Sequence, residues 1–439
     1  MKRLPILIGL LLSASPQSGA QPVPHHFEGI TASPDGTITL SLNGSVSNLV
    51  SISGTISNQF LKMFDLYLVD TSTNLVDWTP VALLQRTNND PQPLIVRDIP
   101  TADRHESYYR VVTNQLPTAF PKPRGPFAVG TVDRVMVDPA RTKPYRYTPK
   151  TNAFMVTFWY PADPPATGVL PAAMWDLRFA ADANLYSNSG FNPQWAKLAP
   201  KLFGHRYQDL PLKSGGNRLP IVIHSHGLGG GRKLVSQFAE ELASHGYVVV
   251  SMDHTDCWAT EFSDGRYLAG DAGDVEGRLK DLKFLLDELG SINARDPLFA
   301  GRLDLDRIGV EGGSYGGMVV ETCRSDGRVK CAMIYDGGNV YLNSAGLQKP
   351  LFIALGESNY FEDADRWLYG KSVTNAVFIK IRGADHFTPS DVGWTAQVPW
   401  GRGPAQVFND CSVWFFNTYL KGETPPFPTN PEIYSVLRK

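Results

Sequence analysis

The sequence has little charge and no excess of either sign. Charged residues make up 19% of the 439 residues, and the formal net charge is −2. Such a balance gives no general attraction to nucleic acid or to an anionic membrane. The chain also contains no internal repeat, no low-complexity segment and no long run of like charge. A globular protein of two or three domains is the class that this length and composition predict.

Cysteine is scarce, since the chain has only four. This number excludes a disulfide-dense scaffold but is compatible with an oxidising compartment. Cys323 and Cys331 are the candidate pair, at the end of a predicted helix and the start of the next strand. Two free buried thiols are an equal alternative, and Cys257 and Cys411 have no evident role.

The first twenty residues have the three parts of a secretory signal. Met1–Arg3 supplies positive charge, Leu4–Leu12 supplies an apolar stretch, and Ser18–Ala20 supplies the small residues of a cleavage site. The apolar stretch is too short to span a bilayer. We therefore expect residues 1–20 to be a signal peptide and the mature protein, from about Gln21, to be secreted or periplasmic.

Residues 21–118 are predicted to form a small all-β, sandwich-like domain. Short runs such as Thr37–Leu42 alternate polar and apolar residues, and Asn, Asp, Gly and Pro separate the runs. We find no catalytic constellation in this stretch. The segment Leu116–Pro126, with four prolines, has the composition of a stiff linker and marks the boundary to the next domain.

Residues 119–439 are predicted to form an α/β domain, because strand-like and helix-like runs alternate there. The buried run Leu219–His224 is followed by apolar residues at helical spacing, and the alternation continues to an amphipathic helix at about 406–420. This order predicts a mostly parallel sheet with helices on both faces. Residues 165–218 do not follow it and are either an insertion over the mouth of the site or an irregular packing layer.

The strongest chemical signal is Gly312-Gly313-Ser314-Tyr315-Gly316, a Gly-x-Ser-x-Gly sequence. A strand-like run precedes it and a helix-like run follows, which is the setting in which this motif forms a nucleophile elbow. Glycine is required because so tight a turn strains the backbone and leaves no room for side chains. The pattern predicts Ser314 as a nucleophile, and a plain glycine-rich turn is the alternative.

A serine nucleophile needs a base to remove its proton and an acid to orient that base. In α/β hydrolases the chain order is serine, acid, histidine. Of nine histidines only His386 follows Ser314, so we predict it as the base. Asp336 and Glu357 each follow a predicted strand, and the residues alone leave both open as the acid.

Backbone N–H groups are expected to bind the oxyanion. One should be that of Tyr315, directly after the serine, and the other that of Leu228, in the glycine-rich loop after the strand at 219–224. His224 and His226 could suggest a metal pair, but no third ligand follows at a typical spacing. We predict no metal and expect one of these histidines to fix the loop by hydrogen bonds.

The α/β domain resembles the platelet-activating-factor acetylhydrolase family of the group VII type, over about residues 122–425. The segments that carry this resemblance are Gly125–Gly130, Leu219–Gly229, Leu242–Val249 and Gly313–Gly317. The resemblance implies an α/β-hydrolase fold and ester hydrolysis without calcium or cofactor. It also implies Ser314, Asp336 and His386 as the triad, and Leu228 and Tyr315 as the oxyanion donors. Since the family's acid follows the strand after the nucleophile, the resemblance favours Asp336 over Glu357.

We therefore expect a secreted serine esterase that hydrolyses short-chain carboxylic esters through an acyl-enzyme. Its partner should be a small ester or lipid substrate, with contact to a lipid or polymer surface as a further option and no nucleic acid. The alternatives are a polyester or lipid hydrolase, a peptidase or amidase on the same triad, and a non-catalytic binding protein. Nothing in the sequence predicts the oligomeric state.

Overall fold

The structure is a computed structural model, and its contacts divide the chain into two compact units. One comprises Met1–Pro121 with Trp394–Gly403, and the other comprises Lys122–Gly393 with Pro404–Lys439. The structure describes six strands between residues 26 and 113, and residues 122–141, 152–166, 171, 204–257, 259–264, 266–270, 273–337, 346–372, 375–391 and 403–439. The predicted signal peptide and most of the predicted insertion at 165–218 lie outside these residues.

The first unit contains two three-stranded antiparallel sheets. Its strands are β1 (His26–Ala32), β2 (Ile38–Asn43), β3 (Leu66–Ser72), β4 (Thr79–Gln85), β5 (Leu94–Asp98) and β6 (Tyr108–Thr113). One sheet has the order β1-β2-β5 and the other β4-β3-β6. These sheets agree with the predicted all-β domain. The alternation of polar and apolar residues did not predict β1 or β4. The pairing of β1 with β2 shifts register at Gly29, and β4 contains Pro80 next to a register shift in its pairing with β3.

The second unit is built on a ten-stranded mixed sheet. Its strands are β7 (Ala128–Val137), β8 (Ala153–Ala162), β9 (Arg206–Gln208), β10 (Leu219–Ser225), β11 (Val248–Met252), β14 (Leu303–Gly313), β15 (Val329–Tyr335), β16 (Leu351–Gly356), β17 (Ala376–Ile381) and β18 (Ile433–Arg438). Two further strands, β12 (Ala259–Glu261) and β13 (Tyr267–Ala269), form a separate antiparallel hairpin. The order across the sheet is β18-β17-β16-β15-β14-β10-β11-β8-β7-β9. The six strands β10, β11 and β14–β17 run parallel to one another.

Helices cover both faces of this sheet. They are α1 (Ser236–Ser244), α2 (Val275–Arg295), α3 (Val319–Ser325), α4 (Glu362–Lys371) and α5 (Gly403–Leu420). In β11, Val248 and Val250 join the apolar cluster that includes residues of α2 and α3, whereas Val249 joins the cluster that includes residues of α1 and α5. This alternation follows from the period of two in a strand, and the predicted α/β-hydrolase architecture is confirmed.

The sheet order changes direction at β10, and this change places the candidate site. The chain passes from β10 to β11 on one side and returns to β14 on the other. Loops that leave the carboxyl ends of such strands diverge and open a crevice, where ligands bind in open α/β sheets. The candidate residues follow β10, β14, β15 and β17 and therefore gather at this edge.

Two elements of the second unit differ from the sequence-based expectation. β9 lies inside the predicted insertion but pairs with β7 at the sheet edge. α4 occupies the acidic stretch after Glu357, where the sequence analysis predicts no helix. Its acidic first turn (Glu362, Asp363 and Asp365) is a helix-start signal that alternation alone overlooks.

The four cysteines are all buried and carry free thiols. A Cys323–Cys331 disulfide is therefore not formed, and the alternative of free buried thiols is the one observed. Burial raises the pKa of the Cys323 thiol to about 12, so the reactive thiolate is disfavoured. Within the described residues, the helices include none with the length and apolar character needed to cross a membrane.

Candidate active site

Ser314 lies at a strained turn between β14 and a 3-10 turn, Ser314–Met318, that leads directly into α3. Its φ angle is +53°, in the left-handed region that non-glycine residues seldom occupy. The flanking glycines are needed for space. A Cβ atom at Gly316 would lie 2.0 Å from the Ser225 carbonyl oxygen, and one at Gly312 would lie 2.3 Å from the Gly316 oxygen. This is the geometry that the Gly-x-Ser-x-Gly pattern predicts.

Asp336 leaves the sheet beside Ser314. Gly313 in β14 and Tyr335 in β15 are register partners, so the residues that follow them emerge at adjacent strand ends. Asp336 is fully buried, with a φ angle of +43°. Its carboxylate accepts hydrogen bonds from the backbone N–H groups of Tyr360 (3.2 Å) and Phe361 (3.0 Å). These donors compensate the burial of a charge.

His386 pairs with Asp336 through its Nδ1 atom. Because the partner is a carboxylate, Nδ1 carries the proton and Nε2 is left as the acceptor, the tautomer that a general base needs. Tyr335 supports the loop from below, since its hydroxyl donates to the Asp385 carbonyl oxygen at 2.6 Å. Asp385 itself accepts from the Phe387 N–H at 3.0 Å, which closes a tight turn around the imidazole.

The structure distinguishes the two carboxylates that the sequence left open. Glu357 is exposed, and its Oε2 accepts from the Gly383 N–H at 2.9 Å. It thus holds the start of the histidine loop, whereas Asp336 contacts the imidazole. Among the described residues no hydrogen bond joins Ser314 Oγ to His386, and bonds of this kind often tighten only when substrate binds.

The glycine-rich loop after β10 lies against Ser314. A Cβ atom on Gly227 would be 3.3 Å from Ser314 Cβ and 3.8 Å from Ser314 Oγ. Glycine at 227 therefore lets the backbone approach the serine closely. Among the described residues, none accepts a hydrogen bond from the Leu228 N–H. This donor is thus available at the position that the sequence predicts.

His226 is the histidine that fixes this loop, as predicted for one of the two. Its Nδ1 donates to the Gly227 carbonyl oxygen at 2.6 Å, and its Nε2 accepts from the His254 backbone N–H at 3.1 Å. Burial, together with the nearby Arg278 cation, lowers the pKa of His226 to about 4. The ring is therefore neutral at pH 7. His224 pairs instead with Glu311 on the neighbouring strand, and the described residues contain no group of side chains suited to hold a metal ion.

A buried ion pair beneath the loop was not identified from the sequence. Arg278, in the first turn of α2, is 1% exposed and donates to Asp256 at 2.8–3.0 Å. The sequence contains a signal that could have suggested a buried role. Arg278 lies one helical turn before Leu282, on the apolar stripe of a helix that faces the sheet with Leu282, Leu285 and Leu286.

A second serine–histidine–aspartate arrangement lies deeper in the same region. Ser225 Oγ is 2.9 Å from His254 Nε2, and His254 Nδ1 is 3.1 Å from Asp281 Oδ2. All three side chains are buried. Burial and the surrounding cations lower the pKa of His254 well below its usual value. Because no substrate can reach Ser225, we interpret this group as support for the strand that carries the glycine-rich loop.

Apolar side chains surround the predicted base. The rings of Tyr360 and Phe387 lie 4.8 Å and 5.3 Å from the imidazole of His386, measured between centroids. Tyr360 is 72% exposed and Leu228 62% exposed. Large apolar side chains exposed beside a candidate site mark a surface suited to an apolar ligand.

The mostly parallel sheet, the helices on its two faces and the serine at a strand–turn–helix junction define an α/β hydrolase. A solved structure supports this fold. The ferulic acid esterase from Streptomyces cinnamoneus aligns with a TM-score of 0.58 at 24% identity, covering 71% of this chain and 96% of that one.

Sequence comparison finds similarity to a particular family. The family described as "Platelet-activating factor acetylhydrolase, isoform II" matches residues 112–266. The platelet-activating factor acetylhydrolase of Cavia porcellus is 26% identical over 298 residues, which are 58% of this chain and 64% of that protein. A "Probable 1-alkyl-2-acetylglycerophosphocholine esterase" of Arthroderma benhamiae is 26% identical over 254 residues, 52% of this chain and 61% of that protein. The chain thus matches less than two thirds of the length of these relatives. For the catalytic part, the resemblance expected from the sequence is confirmed.

Proposed function

We propose that the protein is a serine hydrolase of short-chain carboxylic esters. The observation that carries the proposal is the pairing of His386 with the buried Asp336 at the strand end next to Ser314. A strained serine, an oriented imidazole and a close glycine loop are the parts that acyl transfer requires.

In this mechanism the Ser314 hydroxyl attacks the ester carbonyl carbon, and His386 Nε2 takes the hydroxyl proton. Asp336 holds the imidazole in its tautomer and stabilises the imidazolium. The Leu228 and Tyr315 N–H groups bind the oxyanion of the tetrahedral intermediate. The imidazolium then gives its proton to the leaving alcohol, and an acyl-enzyme forms on Ser314. Water activated by His386 hydrolyses that ester and releases the acid.

The relatives support an ester rather than an amide as substrate. The guinea-pig and fungal proteins are named for acetyl ester hydrolysis. The exposed side chains of Leu228, on the glycine-rich loop, and of Tyr360 and Phe387, beside the base, provide apolar contacts for an acyl or lipid-like group. A lipid or polyester surface is compatible with the same contacts. We therefore place simple esters of short acyl chains first and larger apolar esters second.

The test is hydrolysis of p-nitrophenyl esters from acetate to octanoate, with amino-acyl p-nitroanilides in parallel. We expect ester turnover that falls as the acyl chain lengthens, and a fluorophosphonate probe should label the wild type. Ser314→Ala should lose about three orders of magnitude or more in kcat and should not be labelled.

A matched control is Ser325→Ala, which alters the serine that ends α3, the helix that follows the Ser314 turn. It should keep both turnover and labelling. Faster turnover of anilides than of esters would favour the amidase alternative. A folded wild type without turnover or labelling would favour the non-catalytic alternative.

We also propose that residues 1–20 direct secretion, from the charge and apolar pattern of that segment. Expression with and without these residues, followed by mass measurement of the exported protein, tests this. Export of an uncleaved chain, or equal export of both forms, would contradict it.

A further inference from the structure

We propose that Arg278 positions the oxyanion hole, and that Asp256 in turn holds Arg278. This inference rests on the proposed function and adds a positioning residue to it. Arg278 does not touch the reacting atoms. From the buried side of the site, it contacts the peptide unit that contains the Leu228 N–H and the side chain of Tyr315. The N–H groups of Leu228 and Tyr315 are the proposed oxyanion donors.

Arg278 first contacts the loop after β10 through two carbonyl groups. Its Nη1 donates to the His226 oxygen, and its Nη2 donates to the Gly227 oxygen at 3.2 Å. The Gly227 carbonyl and the Leu228 N–H belong to one peptide unit. Since that unit is planar and trans, its C=O and N–H point in opposite directions. A carbonyl held by Arg278 therefore turns the Leu228 N–H away from the arginine.

The same carbonyl is held by two further donors. His226 Nδ1 donates to the Gly227 oxygen at 2.6 Å, and the Gly230 N–H donates at 3.0 Å. A peptide oxygen with several donors, one of them cationic, polarises its unit and makes the N–H at the other end a stronger donor. Arg278 thus contributes to both the direction and the strength of the Leu228 donor.

Arg278 also contacts the residue that carries the second donor. Its guanidinium carbon lies 4.8 Å from the centroid of the Tyr315 ring, within the range of a cation–π contact. Gly273 shows how closely these groups converge, because a Cβ atom there would lie 2.9 Å from Leu228 Cδ1 and 3.3 Å from Tyr315 Cε1. One buried cation therefore bridges the two halves of the proposed oxyanion hole.

Asp256 gives the guanidinium a fixed orientation. Its carboxylate accepts from Nε and Nη2 of Arg278 at 2.8–3.0 Å, and its backbone oxygen accepts from the Gly229 N–H at 3.2 Å. The planar fork of arginine satisfies the carboxylate and the two loop carbonyls together. A lysine at 278 would keep the charge, but its single ammonium lacks this fork.

The experiment compares Arg278→Lys and Asp256→Asn with the wild type, using p-nitrophenyl acetate and a trifluoromethyl ketone that forms a tetrahedral adduct on serine. Rates are expressed per active site titrated with fluorophosphonate, so that partial unfolding does not count. Loss of one oxyanion donor costs about 10²–10³ in kcat. We expect Arg278→Lys to lose about 100-fold in kcat and Asp256→Asn about 10-fold, with KM within about threefold. The inhibition constant of the ketone should rise by the same factors as kcat falls.

Arg206→Lys is the matched control. Arg206 and Glu240 form a comparably buried ion pair, with Arg206 Nη1 2.8 Å from Glu240 Oε1. We expect this variant to lose stability and to keep kcat and ketone affinity. A merely structural role for Arg278 would make its variants behave like this control.

The outcomes separate the proposals. If Arg278→Lys keeps kcat within threefold, or if kcat falls without a matching loss of ketone affinity, the positioning role is overturned. Loss of the fold in both variants would assign the pair to folding and overturn it as well. If the wild type itself neither hydrolyses the ester nor reacts with the probe, the proposed function fails, and the positioning role fails with it.

Discussion

His386 and Asp336 form a charge-compatible pair across the ends of two strands, although fifty residues of chain separate them. The sheet topology brings the two residues together, because β15 and β17 lie on either side of β16 and all three strands run parallel, so they end at the same edge of the sheet. This contact supports the proposal that Asp336, after the strand that follows β14, is the acid, whereas Glu357, one strand further on, pairs with the Gly383 N–H.

Asp336→Asn should reduce kcat/KM far more than Glu357→Gln. An amide at 336 no longer orients the imidazole as a carboxylate does, and a loss of about 10³–10⁴-fold is the scale for this change in other serine hydrolases. Glu357→Gln keeps an oxygen for the Gly383 N–H and should stay within about threefold of the wild type. Steady-state hydrolysis of p-nitrophenyl acetate measures both. A larger loss in Glu357→Gln would transfer the acid role to that residue.

Gly316→Ala should disrupt the turn that carries Ser314. The added Cβ would lie 2.0 Å from the Ser225 backbone oxygen, which cannot move without shifting β10. We expect a free energy of unfolding lower by about 2 kcal/mol, the scale for overpacking, and a large loss of turnover per folded molecule. Urea unfolding and ester hydrolysis measure the two effects.

Gly327→Ala is the control for that substitution, because a Cβ there meets nothing within 4 Å. Its free energy of unfolding should change by no more than about 0.5 kcal/mol. Equal stability and activity in the two alanine variants would contradict the close approach at Gly316.

His226 should make the folded state lose stability on acidification from about pH 6.5 to about pH 4. Burial and Arg278 lower the pKa of this histidine to about 4 in the fold, from 6.5 in the unfolded chain. Within that window the unfolded chain binds a proton that the folded chain does not, so acid favours unfolding. This loss of stability begins as the pH falls below about 6.5 and amounts to about 3 kcal/mol at most, near pH 4.

Urea unfolding at several pH values tests this dependence against His226→Gln. The variant should be less stable at pH 7, and its stability should fall less on acidification, by about 2–3 kcal/mol between pH 7 and pH 4.5. Other titrating groups are common to both proteins and cancel in the difference. Parallel pH profiles would show that His226 binds its proton equally well in the folded and unfolded states.

Thiol reactivity should separate the native from the unfolded protein. All four cysteines are buried and free, and burial raises the pKa of the Cys331 thiol well above its usual value. Ellman's reagent should therefore react with no thiol in the native state and with all four in guanidinium chloride without reductant. Release of only two thiols on unfolding would indicate a disulfide and contradict the free pair Cys323 and Cys331.

The architecture of the second unit could be predicted because it depends on local patterns. An apolar run such as Leu219–His224 predicts a buried strand, and the glycines around Ser314 predict a tight turn. The edge strand β9 has only three residues, too few for an alternation pattern. The C-terminal β18 pairs antiparallel with β17. A pattern of alternating strands and helices predicts parallel strands and does not predict an antiparallel strand at the sheet edge.

The site was predictable only where order along the chain carries the information. The order serine, acid, histidine predicts His386 as the base, and the Gly-x-Ser-x-Gly motif predicts Ser314 as the nucleophile. Arg278 was missed because its partners lie 22 residues (Asp256) and 52 residues (His226) away. No spacing rule links a residue in the first turn of a helix to carbonyl groups of a distant loop, so the fold is needed to find it.

The buried group Ser225, His254 and Asp281 has a consequence for how catalytic centres are recognised. A search by side-chain geometry alone would return two triads in this molecule. It would even favour this one, because here the serine already contacts the imidazole at 2.9 Å. What distinguishes the two is solvent access and a nearby backbone donor without a partner. Templates for serine hydrolases should therefore include the exposure of the serine and an unpaired backbone donor beside it, as well as the three side chains.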